Sequence, residues 1–273
     1  MTSKECYNLF HDNTEKEKKR NMSKVIAIAN QKGGVGKTTS AINLSAALAE
    51  KGKKVLVIDI DPQGNTTSGL GVNKNEIRNS IYELLIDEAS MDEVLQKEVY
   101  KNLDLIPSNV NVAAVEIELL DMEGKEKKLR DKISEIRDDY DYAIIDCPPA
   151  LGLLTVNAMT TADTILVPIQ CEYYALEGLS DLIHSVELVR KRLNPTLEIE
   201  GVFFTMYDAR TNLAMQVVDN VRTHISEKVF KTIIPRNIRL AEAPSYGQPI
   251  TQYEPKSAGA EAYRMLADEI IEG

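Results

Sequence analysis

The chain has 273 residues, 43% hydrophobic and only 5% aromatic, so its core is aliphatic and ample for one large α/β fold. Its 32 basic and 42 acidic residues leave a net charge of −10, which excludes nucleic-acid binding over the whole surface and leaves room only for a local basic patch. No apolar run approaches the roughly 20 residues of a membrane span. Cys6, Cys147 and Cys171 have no C-x-x-C spacing, as expected of reduced thiols in the cytosol.

In chain order, residues 1–21 come first, with a dense mixed-charge run at 13–21 and neither an apolar face nor a signal-peptide core. They are expected to form a disordered leader, with Met22 a candidate start and residues 22–273 a single domain. Residues 25–29 read as a buried parallel strand and residues 40–49 as a helix. Between them lies Gln31-Lys32-Gly33-Gly34-Val35-Gly36-Lys37-Thr38-Thr39. A strand, a glycine-rich turn and a helix opening on Lys-Thr is the context of a phosphate-binding loop. The backbone amides from Gly33 to Thr39 would wrap a phosphate, Lys37 would reach the β- and γ-phosphates, and the Thr38 hydroxyl would ligate Mg²⁺.

A second strand, 55–59, delivers Asp59 and Asp61 to the sheet edge that faces the same crevice. Two carboxylates spaced i, i+2 beside a turn can hold Mg²⁺ indirectly and orient a water. Residues 66–102 look like short helical insertions, 103–107 like a strand, and 112–120 with 125–137 like a helical pair. Residues 140–146 run apolar into Asp146, as in a Walker B strand, which places Asp146 in the outer shell of Mg²⁺. The loop 147–152 would sense the γ-phosphate. Helices at 153–162, 179–193, 212–226 and 258–271 alternate with strands at 163–168, 200–205 and 229–234. The result is an α/β fold, a doubly wound and mostly parallel sheet flanked by helices. His184 and His224 read as ordinary helix residues.

The loop departs from G-x-x-x-x-G-K-[ST] at its first position, where Gln31 replaces glycine and Lys32 follows. This deviant Walker A loop resembles the ParA/MinD group of P-loop ATPases. The run Ile234-Pro235-Arg236-Asn237 through Ser245 resembles chromosomal ParA proteins of the Soj type. The likeness implies that Lys32 acts across a dimer interface on the partner's nucleotide, that Asp61 orients the attacking water, and that Pro235 and Asn237 contact the base. It also implies an ATPase that takes ATP and Mg²⁺, forms an ATP-dependent homodimer and binds DNA nonspecifically as that dimer. A ParB-type centromere-binding partner would stimulate hydrolysis, and the protein would work in the cytoplasm at the nucleoid. Arg210, Arg222, Lys228, Lys231, Arg236 and Arg239 are the candidates for DNA contact. A MinD-like membrane ATPase is disfavoured because the closing helix lacks a basic amphipathic face. A nitrogenase-reductase-like protein would need cluster cysteines that Cys147 and Cys171 do not convincingly supply. A nucleotide-gated scaffold with little turnover is the alternative from another class.

Overall fold

The computed structural model describes residues 23–172 and 175–273. Cys6 and the expected leader at 1–21 lie outside the described residues. Among the described residues, eight strands form one sheet: β1 Lys24–Ile28, β2 Val55–Asp59, β3 Gln96–Tyr100, β4 Leu103–Ile106, β5 Tyr142–Asp146, β6 Thr164–Gln170, β7 Glu198–Tyr207 and β8 Val229–Pro235. Their order is β3-β4-β2-β5-β1-β6-β7-β8, and only the β3–β4 pair is antiparallel. The longer helices are α1 Lys37–Glu50, α2 Leu153–Thr161, α3 Ala175–Arg192, α4 Asn212–His224 and α5 Ala258–Glu272.

The central strands are apolar without alternation because both of their faces are covered. Every residue of β2 and β5 is buried. Successive side chains then serve opposite faces of the sheet. Val25 and Ala27 join a core with Leu154 of α2, Leu182 of α3 and Val221 of α4. Ile26 and Ile28 join the other core, with Leu44 and Leu48 of α1 and Leu266 of α5. Strand β8 is an edge, and Glu269 of α5 blunts it by accepting from the amides of Lys231 (2.9 Å) and Thr232 (2.7 Å).

Three elements differ from the sequence reading. Residues 96–100 are not helical but form the edge strand β3, turned back onto β4 through Asn102 in the left-handed region (φ 61°). Asp104 Oδ1 secures that hairpin by accepting from the Glu98 amide at 2.7 Å. The expected helical pair is broken into short helices, Val115–Glu118 and Lys128–Ser134, flanked by 3-10 turns. The long helix α3 starts four residues earlier than its apolar repeat suggested.

Strand β1 lies between β5 and β6, so the chain leaves it toward one side for β2 and reaches the other side in passing from β5 to β6. That reversal opens a crevice at the carboxyl ends of the strands, where ligands bind in sheets of this kind. No helix among the described residues is long and apolar enough to cross a membrane.

Candidate active site

Asn30, buried just beyond β1, fixes the start of the glycine-rich loop. Its Nδ2 donates to the Pro168 carbonyl (2.8 Å) and its Oδ1 accepts from the Lys32 amide (2.9 Å). Gly34 (φ 74°) and Gly36 (φ 91°) take the left-handed conformation the bend requires. No atom stands within 4 Å of where a side chain at Gly33 or Gly34 would begin, so the crest of the loop is uncovered. Val35 is buried, and its carbonyl accepts from the Thr205 hydroxyl at 2.8 Å, tying the loop to β7. The N-cap of α1 is Gly36, so no side chain competes for the first-turn amides, and the helix dipole favours an anion there.

Lys37 is 7% exposed and its Nζ donates back to the Lys32 carbonyl at 3.1 Å, folding the ammonium over the loop. Burial pulls its pKa below the usual value, against the opposing attraction of nearby Asp146 and Asp61. Beneath it lie the carboxylates. Asp146 Oδ2 accepts from the hydroxyls of Thr38 (2.8 Å) and Thr66 (2.7 Å), whereas its buried Oδ1 has no hydrogen-bond partner. Asp59 Oδ2 accepts from the amide (2.8 Å) and hydroxyl (2.7 Å) of Thr67, and Oδ1 accepts from the Asp61 amide at 3.2 Å. Asp61 Oδ1 in turn accepts from the Gln63 amide at 2.9 Å, and Ser108 Oγ donates to the Asp61 carbonyl at 2.6 Å. Asp59 and Asp146 are fully buried, and both pKa values rise. Burial is the main cause for each, and repulsion between neighbouring carboxylates adds to it.

Beside Gly36 and Thr39 opens a cavity of about 810 Å³. Its wall includes Pro235 at the end of β8 and Asn237 just beyond it, Met206 and Asp208 at the end of β7, and Tyr263 of α5. The structure therefore joins the two sequence signals that lie farthest apart, the loop and the Pro235–Asn237 segment, around one space. Asn237 Oδ1 also accepts from the Arg239 amide (2.8 Å), which leaves its NH₂ group as the donor. Lys32 stands apart from this space: its Nζ pairs with Glu172 beyond β6. Thr66, Thr67, Thr205 and Ser108 were missed by sequence reasoning, since lone threonines and serines carry no motif.

The basic candidates sit on several different elements. Arg210 and Arg236 lie at the cavity, where Arg210 grips Asp208 through Nε (2.8 Å) and Nη2 (2.6 Å). Arg239 pairs with Glu242, and Lys228 sits 4.6 Å over the Phe230 ring. Arg222 is in the last turn of α4 and Lys231 on the β8 edge.

A parallel sheet whose central strand ends in an uncovered glycine bend, with a helix beginning on Lys37-Thr38 above buried aspartates, defines a P-loop nucleoside triphosphatase. The AAA domain family matches residues 23–199. The sporulation initiation inhibitor protein Soj of Bacillus subtilis is 53% identical over 249 residues, which cover 91% of this chain and 98% of that protein. The chromosome partitioning protein ParA of Caulobacter vibrioides is 51% identical over 253 residues, covering 92% and 95%. Among solved structures, cobyrinic acid a,c-diamide synthase from Mycobacterium smegmatis with bound ADP and magnesium is similar with a TM-score of 0.81 at 35% identity, over 92% and 95% of the two chains. The chain belongs to the Soj/ParA family of chromosome-partitioning ATPases.

Proposed function

We propose that the protein is an ATP-hydrolysing partition motor that dimerises on ATP, binds DNA nonspecifically as the dimer and is stimulated by a ParB-type partner at the nucleoid. The observation that carries this reading is the cavity that Gly36 and Thr39 of the loop share with Pro235 and Asn237. The triphosphate lies on the loop amides, with Lys37 neutralising the β- and γ-oxygens. The adenine enters the cavity, where its face packs on Pro235 and Met206 and the Asn237 amide donates to a ring nitrogen. The orphaned Asp146 Oδ1, beside the Thr38 hydroxyl and Asp59, is a hard-oxygen donor set that suits Mg²⁺. Thr38 would hold the ion directly, and Asp59 and Asp146 through water. Bound there, it would supply charge neutralisation to the triphosphate.

Asp61, 9% exposed and fixed by Gln63 and Ser108, orients the attacking water. Lys32 acts in trans: held by Glu172 outside its own cavity, it is free to serve the nucleotide of a second copy when that contact is exchanged. Arg210 and Arg236 beside the cavity supply local positive charge for phosphate contact despite the net charge of −10. Changing Asp61 to Ala should trap an ATP-bound dimer and slow turnover by about 10²-fold or more. Unchanged hydrolysis in that variant would refute the role given to Asp61.

A further inference from the structure

The position where the usual phosphate loop has glycine is Gln31, and its side chain is engaged. Gln31 Nε2 donates to Ser185 Oγ at 3.1 Å, and the buried Ser185 hydroxyl in turn donates to the Asp181 carbonyl of α3 at 2.8 Å. The residues on either side are anchored to the same β6–α3 unit, Asn30 on the Pro168 carbonyl and Lys32 on Glu172. Gln31 also lines a narrow surface cleft with Pro148, Leu151 and Leu182. It therefore stands where the phosphate loop, the loop after Asp146 and helix α3 meet.

These anchors differ in permanence. The Asn30 and Ser185 contacts are buried or half-buried and neutral. The Lys32–Glu172 pair is 37% and 45% exposed at its side chains, the regime in which ion pairs exchange readily. A loop pinned firmly at 30 and 31 and weakly at 32 holds its backbone while the lysine changes partner. We propose that Gln31 and Ser185 are positioning residues that fix the entry of the phosphate loop on helix α3 and so set the direction in which Lys32 leaves it. Without the Gln31–Ser185 bond, the loop's glycine crest still accepts phosphate, but Lys32 no longer emerges on a defined path. This inference rests on the trans role of Lys32.

The test uses the full chain with Mg-ATP, comparing Gln31→Ala, Ser185→Ala, Ser185→Thr and Lys32→Ala. Gln31→Ala and Ser185→Ala should lower kcat by roughly ten- to a hundredfold, the range for displacement of a reacting group by about 1 Å, with KM and ADP affinity within about twofold. Ser185→Thr keeps a hydroxyl and should restore kcat. The dimer fraction with a non-hydrolysable ATP analogue should fall in both alanine variants. Unchanged kcat in both, or a matched loss of ADP affinity and melting temperature that Ser185→Thr fails to restore, would overturn the assignment. Normal turnover in Lys32→Ala would remove the reading beneath it, a failure visible apart from the other two variants.

Discussion

In the metal-free protein, Asp59 and Asp146 make stability fall as pH rises. Both carboxyls are fully buried and titrate above the ordinary carboxylate range, so between the unfolded value near 4 and their raised folded values the native state holds protons that the unfolded chain has lost. Their contribution is therefore full below the unfolded value and is lost as pH climbs through the folded one. Asp59→Asn isolates the effect. Its carbonyl can keep the two bonds from Thr67, placing the NH₂ on the side of the single longer bond from the Asp61 amide. One proton is worth about 1.4 kcal/mol per pH unit. At about 2–4 °C per kcal/mol for a chain of this size, wild type should lose about 3–6 °C per pH unit relative to the variant. The assay is thermal unfolding with EDTA and no nucleotide, from roughly pH 5 to 8. With saturating Mg-ATP the ionised carboxylates gain a partner, and the slope should flatten. Melting curves of wild type and Asp59→Asn that stay parallel across the range would refute the reasoning.

Thr38→Ala removes a hydroxyl donor to Asp146 and the hydroxyl proposed to hold magnesium, and should raise the magnesium needed for half-maximal turnover about tenfold or more. Asn237→Asp keeps the oxygen that accepts from the Arg239 amide but loses the NH₂ donor, so ATP affinity should drop about tenfold while the melting temperature holds. Equal affinity in that variant would show that the base is held elsewhere. Glu269→Ala frees the β8 amides and should cost about 1.5–3 kcal/mol in urea denaturation, with faster hydrogen exchange at Lys231 and Thr232 and unchanged turnover.

The parts legible in the sequence were those whose chemistry is local. Lys37-Thr38-Thr39 follows a buried strand directly, and Asp59 and Asp146 each end an apolar run, so strand and carboxylate are read together. Their common edge followed from the parallel sheet. Pro235 and Asn237 were legible only through resemblance, because an amide after a proline has no chemistry until Gly36 and Thr39 are placed across the cavity. Thr66 and Ser108 were out of reach, since their partners are 80 and 47 residues away in sequence. Strand β3 was missed because its half-exposed residues show no clean alternation and Glu98 takes a left-handed φ of 52°. Helix α3 begins before its repeat is apparent, on Ala175 and Leu176, where too few turns have accumulated to show a stripe.

The most direct measurement of the central claim is the oligomeric state of the full chain by sedimentation, with Mg-ATP and with Mg-ADP, in wild type and in Lys32→Ala. The expected result is a dimer with ATP alone in wild type, and a monomer with either nucleotide once Lys32 is gone. A wild-type protein that stays monomeric and fails to bind ATP, or a Lys32→Ala variant that dimerises as wild type does, would contradict a nucleotide closed between two copies of this loop.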